Sequence, residues 1–204
     1  MPTISYKDRQ ITPAKIVCIG RNFHEHIQEL GNETPDDMVI FVKPNSAISQ
    51  DLHSFHQETL HYEGEISFLV QNQRLCAVGF GLDLTKRELQ SRLKAKGLPW
   101  EKAKAFDGAA CFSHFVDIDE ADFPALTLNL EINGELTQQG GYELMIYKPQ
   151  QIIDGVAEFM SLQDNDIVMT GTPKGVGMVN RGDRFSASIK CGERVLLSHE
   201  WTAV

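Results

Sequence analysis

Two glutamates in a predicted strand are the first residues whose types and spacing indicate chemistry. Apolar residues recur at alternate positions within the segment 60–70, which predicts a β-strand. The same period places Glu63 and Glu65 on one face, and Gly64 between them leaves room for a close approach to the backbone. Two carboxylates on one face are costly to bury unless a cation or water compensates their charge. We interpret them as ligands of a hard divalent metal; the alternative is a solvent-facing acidic strand.

Asp83 supplies a third carboxylate at the end of the next predicted strand, 75–82. The turn that follows a strand can direct such a side chain toward the face of Glu63 and Glu65. Three oxygen ligands with no companion cysteine suit Mg²⁺ or Mn²⁺, with coordination positions open for water and substrate. The alternative for Asp83 is the N-cap of a helix that begins at residue 84.

Three further side chains are candidates for catalysis. His26 and Glu29 are three residues apart on a short predicted helix, so they are neighbours on one face. A glutamate that orients the imidazole raises its basicity, which would make the pair a general base. Lys104 stands among small and apolar residues, as expected of a partly buried cation with an electrostatic role. The alternatives are a surface His–Glu pair and a lysine that extends its ammonium group to solvent.

The glycine-rich segment 170–177 follows a predicted strand. It lacks the Gly-x-x-x-x-Gly-Lys-Ser/Thr spacing of a phosphate loop, so ATP binding is rejected. Its hydroxyls and backbone N–H groups are suited to binding a carboxylate; a purely structural turn is the alternative.

The elements that must position these residues are mostly strands. We expect Asn22 and Thr85 to cap the first two helices, and Asn133-Gly134 gives the strongest hairpin signal. The pattern predicts an α+β, β-rich protein with a mixed, largely antiparallel sheet rather than a doubly wound fold. Strands are predicted over 3–6, 10–11, 15–19, 38–42, 60–70, 75–82, 126–132, 166–169, 184–190 and 195–201, and helices over 21–31, 84–96, 100–104 and from 149.

Length and composition exclude several classes of protein. The chain has 204 residues, so a single domain over 1–204 is the default. Its formal net charge of −9 argues against nucleic acid or an anionic membrane surface as a partner. The 4 cysteines are widely spaced, which favours reduced thiols in a cytoplasmic protein. We expect neither a signal peptide nor a membrane span.

Six short motifs occur in a fixed order along the chain, from about residue 15 to about residue 188. Each is weak alone, but together they resemble the fumarylacetoacetate hydrolase family. The resemblance is to its small single-domain members, which include acylpyruvate hydrolases, oxaloacetate decarboxylases or tautomerases, and 2-hydroxyhepta-2,4-diene-1,7-dioate isomerases. The motifs are Ile19-Gly20-Arg21-Asn22-Phe23, Phe41-Val42-Lys43-Pro44, His61-Tyr62-Glu63-Gly64-Glu65, Asp83-Leu84-Thr85-Lys86-Arg87-Glu88, Lys96-Gly97-Leu98-Pro99-Trp100 with Ala103-Lys104-Ala105-Phe106, and Thr170-Gly171-Thr172-Pro173-Lys174-Gly175-Val176-Gly177.

The resemblance implies a fold, a metal and a set of residue roles. The fold is a mixed β-sheet roll of the fumarylacetoacetate hydrolase C-terminal-domain type with a few short helices, usually in a homodimer. The metal is Mg²⁺ or Mn²⁺, with Ca²⁺ as an occupant in crystals. The implied roles are metal ligation by Glu63, Glu65 and Asp83, catalysis by His26 and Glu29 on a lid helix and by Lys104 beside the metal, and substrate contact by Arg21, Arg87, Gln90 and Thr172.

The function implied is metal-dependent hydrolysis of 2,4-dioxo acids such as acetylpyruvate or fumarylpyruvate. Water activated by His26 would attack the distal carbonyl and release a pyruvate enolate, whose charge the metal and Lys104 would stabilise. The alternatives are decarboxylation or tautomerisation of oxaloacetate and isomerisation of a 2-hydroxydienedioate from aromatic catabolism. A remote alternative is a non-catalytic module that binds a dicarboxylate or a metal.

The chain departs from the family pattern at three places. Tyr142 and Glu143 stand where small hydroxylated residues are usual, and Leu82 precedes the ligand Asp83 in place of a more common polar residue or cysteine. These changes leave the predicted metal site untouched. Tyr142 and Glu143 are expected to alter the size and charge of the substrate pocket.

Overall fold

The computed structural model describes residues 1–31, 33 and 35–204. The strands among them are β1 (Ile4–Tyr6), β2 (Arg9–Ile11), β3 (Lys15–Gly20), β4 (Val39–Pro44), β5 (Phe55–His56), β6 (Glu58–Thr59), β7 (His61–Tyr62), β8 (Gly64–Gln71), β9 (Arg74–Asp83), β10 (Ala110–Phe112), β11 (Val116–Asp117), β12 (Leu126–Ile132), β13 (Glu135–Gly141), β14 (Ile167–Met169), β15 (Gly177–Met178), β16 (Arg184–Cys191) and β17 (Arg194–Thr202). The α-helices are α1 (His24–Glu29), α2 (Arg87–Ala95), α3 (Glu101–Lys104) and α4 (Pro149–Ala157), and short 3₁₀ turns cover Asn45–Ala47, Glu120–Ala125 and Tyr142–Leu144.

The larger sheet carries the strands that hold the site. Its order is β10-β9-β8-β14-β3-β4, and β11 also pairs with β9. Strands β14 and β3 run parallel, whereas the other pairs of this sheet are antiparallel. The mixed, largely antiparallel sheet and the short helices confirm the predicted β-rich fold class.

The smaller sheet is antiparallel, with the order β13-β12-β16-β17. Strand β12 alternates between buried and exposed side chains because one face packs on the core and the other meets solvent. Asn133 and Gly134 both adopt positive φ, 54° and 86°, at the turn into β13. This is the turn geometry that the Asn-Gly pair predicts.

Apolar side chains of the two sheets meet in one core. Phe68 and Phe80 of the larger sheet join Leu128, Leu130 and Phe185 of the smaller sheet. Helix α4 covers other residues of the larger sheet through a separate apolar cluster. Strand β8 is consequently buried on both faces, and its sequence alternation does not mark a solvent-facing side.

The first helix is shorter than predicted, and Asn22 does not cap it. The helix begins at His24 after Phe23, which provides no side-chain cap. Asn22 instead donates to the carbonyl oxygens of Tyr147, at 3.0 Å, and Thr170, at 2.8 Å, and accepts from the Tyr147 N–H at 2.6 Å. These buried bonds tie the start of α1 to the glycine-rich segment. The polar, non-periodic sequence of 32–37 predicts a loop after this helix, and two of its residues, Asn32 and Thr34, lie outside the described residues.

The second helix begins at Arg87, so Thr85 is not its cap and Asp83 is not an N-cap either. Thr85 exchanges backbone hydrogen bonds of 2.9 Å with His61. Its hydroxyl accepts a hydrogen bond from Lys104 at 2.6 Å. The side chain of Thr85 therefore contacts a distant residue, Lys104, and does not form the helix cap that the capping-box spacing predicts.

Across the residues that the structure describes, no helix is long and apolar enough to span a membrane.

Candidate active site

Three carboxylates meet where β7, β8 and β9 come together. Glu63 lies in the break between β7 and β8, Glu65 is in β8, and Asp83 is the last residue of β9. The Asp83 N–H donates to the Glu63 carbonyl oxygen at 2.8 Å, which fixes the register of the two segments. All three side chains are buried, and one oxygen of each lies within 4.8 Å of the others. The solvent-facing alternative for the two glutamates is therefore wrong.

Lys104 is the centre of the ion pairs in this cluster. Its ammonium group donates to Glu63 Oε2 at 2.8 Å and to Asp83 Oδ2 at 2.7 Å, besides Thr85. Burial favours the neutral amine, but the charges of Asp83 and Glu63 outweigh it and raise the pKa of Lys104. With 3% of its surface exposed, Lys104 does not reach solvent. The structure thus places a fixed positive charge against two of the predicted metal ligands.

Two more cations complete the balance of charge. Lys43, which is fully buried, has its ammonium 2.7 Å from Asp83 Oδ1 and donates to the carbonyl oxygen of Lys104. Arg87 pairs with Glu63 Oε1. Burial would raise the pKa of Glu63, but Lys104 and Arg87 together hold it well below its usual range. The sequence analysis names Lys43 only within a motif and gives it no role. Its position directly after the apolar residues 38–42 is the signal that could have indicated a buried lysine.

Glu65 is the carboxylate of this cluster that forms no ion pair among the described residues. Its Oε2 accepts the N–H of Gly171 at 2.7 Å. Burial, followed by the charges of Asp83 and Glu63, raises the pKa of Glu65 well above its usual range. Asp83 Oδ1, despite its ion pair with Lys43, has no hydrogen-bond donor among the described residues. Three carboxylates with oxygens at this spacing, one of them without an ion pair, fit a hard divalent cation held by Glu63, Glu65 and Asp83.

The glycine-rich segment binds carboxylates, and both belong to the protein itself. Gly171, with φ of +95°, donates to Glu65, and Gly175, with φ of +97°, donates to Glu29 Oε1 at 2.9 Å. A Cβ at Gly171 would lie 2.8 Å from Asn22 Cβ, and one at Gly175 would overlap the carbonyl oxygen of Thr137. Glycine is therefore required at both positions by conformation and by space.

His26 and Glu29 form a hydrogen-bonded pair on α1. Nδ1 of His26 lies 3.1 Å from Glu29 Oε2, while the other oxygen of Glu29 is held by Gly175. His26 is buried and lines the cavity above the carboxylates. Because Nδ1 is engaged by Glu29, Nε2 is the ring nitrogen available for proton transfer in the cavity. Because His26 is buried, the alternative of a surface His–Glu pair is wrong.

A cavity of about 30 Å³ collects nearly all of the predicted site residues. Glu29 is the exception, because it does not line the cavity but bonds to His26, which does. The Thr172 hydroxyl bonds the Gly64 carbonyl oxygen at 2.9 Å, and Gln90 Oε1 accepts from Arg87 at 3.0 Å. The predicted residues that line the cavity are Arg21, His26, Glu63, Glu65, Asp83, Arg87, Gln90, Lys104 and Thr172.

Gln138 of β13 is a supporting residue that sequence reasoning missed. Its Oε1 accepts the Gly64 N–H at 2.8 Å, and its Nε2 donates to Thr172 Oγ1 and to the Pro173 carbonyl oxygen, both at 2.9 Å. The buried amide thereby joins the smaller sheet, the backbone between the two glutamates and the glycine-rich segment. No local pattern marks it, because all of its partners are distant in the sequence.

Tyr142 and Glu143 do not line this cavity. They form a 3₁₀ turn with Leu144 and line a separate groove of about 430 Å³. Leu82 is fully buried in the core between the sheets. The expectation that Tyr142 and Glu143 reshape the substrate pocket is therefore wrong for the cavity that holds the carboxylates.

Comparisons with known proteins agree with this geometry. The family model for the fumarylacetoacetate (FAA) hydrolase C-terminal region matches residues 15–196. The oxaloacetate tautomerase YcgM of Escherichia coli is 37% identical over 193 residues, which cover 86% of this chain and 88% of that protein.

Solved structures show the same fold. A protein of Oleispira antarctica, provisionally named a fumarylacetoacetate isomerase/hydrolase, superposes with a TM-score of 0.94 at 35% identity and full coverage of both chains (100% and 100%). The fumarylpyruvate hydrolase of Pseudomonas aeruginosa, solved in complex with Mn²⁺ and pyruvate, gives a TM-score of 0.87 at 26% identity over 100% of this chain and 95% of that one.

Replacing Gln138 with alanine is expected to loosen the metal site. The change removes the acceptor of the Gly64 N–H inside the protein, which costs about 2 kcal/mol of stability. We expect a fall of about 10- to 100-fold in affinity for Mn²⁺, as for other residues that orient metal ligands. Thermal unfolding and calorimetric titration measure the two effects. Gln139→Ala, at the exposed neighbouring position, is the control, and equal behaviour of the two variants would contradict the assigned role.

Replacing Gly175 with alanine is expected to disturb Glu29 and leave the carboxylate cluster intact. The new Cβ would push the loop away from Thr137, so the N–H that holds Glu29 moves, at a total cost of about 3 kcal/mol. Gly182→Ala is the matched control, since φ is +90° there and no atom lies within 4 Å of a Cβ. It should cost about 1 kcal/mol. Turnover falling in Gly175→Ala with unchanged Mn²⁺ affinity supports the assignment; unchanged turnover argues against it.

Proposed function

The chain belongs to the fumarylacetoacetate hydrolase family, and from this premise we propose that it catalyses the keto–enol tautomerisation of oxaloacetate. The observation that carries the proposal is the arrangement of a His–Glu pair and a buried lysine around one small cavity with three carboxylates. The similarity to an oxaloacetate tautomerase of Escherichia coli supports it. The proposal replaces acylpyruvate hydrolysis, which the sequence placed first, with one of its alternatives.

Tautomerisation requires one proton to move between C3 and the 2-oxygen of the substrate. No bond between carbon atoms breaks, and no water is consumed. In the proposal, His26 Nε2 takes the proton from C3 and returns it to the oxygen, or the reverse. Glu29 holds Nδ1 in the donor state, so the exchanging nitrogen faces the substrate. Gly175 in turn fixes Glu29 from the glycine-rich segment.

The charges of the site would stabilise the enolate through which the keto and enol forms of a 2-oxo acid interconvert. A divalent cation held by Glu63, Glu65 and Asp83 would supply positive charge for the carboxylate and the 2-oxygen. Lys104 adds a positive charge that is already oriented by its buried partners, so little reorganisation is needed when the substrate oxygen becomes negative. We propose Mg²⁺ or Mn²⁺ as the metal, and a cytoplasmic homodimer as the working form.

The cavity is too small for oxaloacetate as it stands. Its volume of about 30 Å³ suits a water molecule or an ion, whereas a four-carbon dicarboxylate needs several times that space. Helix α1, which carries His26 and Glu29, forms one wall. We infer that α1 moves away to admit the substrate and returns to exclude water and bring His26 into reach.

Hydrolysis of an acylpyruvate is the second candidate. A buried histidine oriented by a glutamate is also suited to activating a water molecule. The fumarylpyruvate hydrolase of Pseudomonas aeruginosa shares the fold at 26% identity. Hydrolysis requires room for a water molecule beside the substrate after closure, and the reaction releases pyruvate. Release of pyruvate therefore separates the two candidates.

Replacing His26 with glutamine is expected to lower tautomerisation by about 10²- to 10⁴-fold, because the group that moves the proton is lost. The reaction is followed by the disappearance of enol oxaloacetate in parallel with the supply of the keto form to malate dehydrogenase. His24→Gln, on the exposed side of the same helix, is the control and should retain full activity.

Two outcomes would oppose the proposal. Full activity of His26→Gln would remove the histidine from the mechanism. Pyruvate release from acetylpyruvate that is faster than tautomerisation of oxaloacetate, and sensitive to chelator, would favour the hydrolase.

A further inference from the structure

A second and larger space adjoins the small cavity of the carboxylates. It is a groove of about 410 Å³ between the edge strand β4 and the segment that leads into α3, and we name it the apolar groove. Among the described residues that line it, Glu101 and Lys104 carry charge and the others are apolar or glycine. Its apolar residues include Val39, Phe41, Val42, Leu98, Pro99 and Trp100.

Phe41 and Trp100 form the partition between the apolar groove and the cavity. Both residues, together with Lys104, line the two spaces. The two rings pack against each other, with their centroids 6.0 Å apart and their planes inclined by 57°. The ammonium group of Lys104, which is bonded to two of the carboxylates, lies 5.3 Å from the centre of the Phe41 ring. The groove therefore begins one aromatic ring away from the fixed positive charge of the site.

The lining of the apolar groove selects one class of substituent. A carboxylate placed there would lose its hydration against apolar walls, which is costly. An aromatic ring suits the space, because an apolar cavity of about 150 Å³ is enough to hold benzene. Phe41 and Trp100 at the partition add rings against which a further ring can pack in a tilted or offset arrangement.

We propose that the apolar groove takes the aromatic ring of a 3-aryl 2-oxo acid, and that the protein tautomerises such acids as well as oxaloacetate. In these acids the ring is bonded to C3, the carbon from which the proton leaves. A ring in the groove and a 2-oxygen beside Lys104 are therefore parts of one short molecule. A rotation of the partly exposed Trp100 side chain would join the two spaces.

The proposal rests on the proposed function, because it uses the same transfer of a proton by His26. The C3–H bond breaks, His26 Nε2 carries the proton to the 2-oxygen, and the O–H bond of the enol forms. The number of protons and electrons in the substrate is unchanged, so no further reactant is needed. The enol double bond is conjugated with the ring, which gives this form a distinct ultraviolet absorbance.

Leu98→Glu tests the apolar groove without altering the cavity. Leu98 is 47% exposed and lines the groove but not the cavity. In full-length protein supplied with Mn²⁺, the ratio of kcat/KM for phenylpyruvate to that for oxaloacetate should fall about 10-fold, as for the loss of a contact in an apolar pocket. Leu136→Glu is the matched control, since Leu136 is 55% exposed on β13 and lies outside the groove, and it should keep the wild-type ratio.

Binding of the ring is measured separately from turnover. His26→Gln, which lacks the group that moves the proton, is titrated calorimetrically with phenylpyruvate and with pyruvate, which has no ring. Phenylpyruvate should bind about 10-fold more tightly or better. Adding Leu98→Glu should remove this difference and leave the affinity for pyruvate as it was.

The two proposals can fail separately. Phenylpyruvate that binds no more tightly than pyruvate, or a preference that survives Leu98→Glu, overturns the assignment of the groove. Turnover of oxaloacetate without turnover of phenylpyruvate overturns the added activity and leaves the proposed function standing. A ring-dependent preference that Leu98→Glu abolishes, in a protein that tautomerises neither acid, supports the groove as the site of the ring and refutes the proposed function.

A second copy of the chain is the other candidate occupant of the groove. Sedimentation of wild type and Leu98→Glu at matched concentrations distinguishes it. A change of oligomeric state in Leu98→Glu, with the preference for phenylpyruvate intact, would assign the groove to a contact between copies and overturn the proposal.

Discussion

Three carboxylates are forced together in the interior, and the surrounding structure depends on how their charge is compensated. Glu63, Glu65 and Asp83 would repel one another strongly at these separations in a medium of low polarity. Lys104 lies between Glu63 and Asp83, and Lys43 reaches Asp83 from the edge strand β4. Glu63 and Asp83 are thus compensated, whereas burial and the charges of these two neighbours raise the pKa of Glu65 and favour its protonated form until a divalent cation offsets the charge.

Backbone segments that approach this cluster are held by buried polar contacts. Gln138 and the N–H groups of Gly171 and Gly175 connect the smaller sheet, strand β8 and helix α1 to the same loop. Asn22 fixes the start of that helix on the other side. One loop therefore sets the position of Glu65, a candidate metal ligand, and of the His26–Glu29 pair together, which explains why glycines with positive φ are needed there.

Local signals in the sequence predicted much of the fold, and long-range pairing decided the rest. The Asn133-Gly134 hairpin and the alternation of β12 depend on neighbours in sequence, and both are found. Asn22 and Thr85 have the spacing of helix caps, but tertiary contacts recruit them instead. Alternation could not show that β8 is covered on both faces.

The residues of the candidate site likewise fall into those that local sequence patterns predict and those that depend on long-range contacts. Its cavity-lining residues follow from motifs, whereas Lys43 and Gln138 were missed because their partners are 61 and 34 residues away in sequence. The effect of Tyr142 and Glu143 was misjudged because position in a motif does not reveal which groove a turn lines.

Titration of the protein with Mn²⁺, observed by electron paramagnetic resonance, tests most directly whether the carboxylate cluster is a metal centre. The account predicts one bound ion per chain and a loss of more than about 100-fold in affinity in Glu65→Gln, which keeps the shape and removes the charge. Glu131→Gln, on the exposed face of β12, should titrate like the wild type. Failure of the wild type to bind Mn²⁺, or equal affinity in Glu65→Gln, would contradict the central claim.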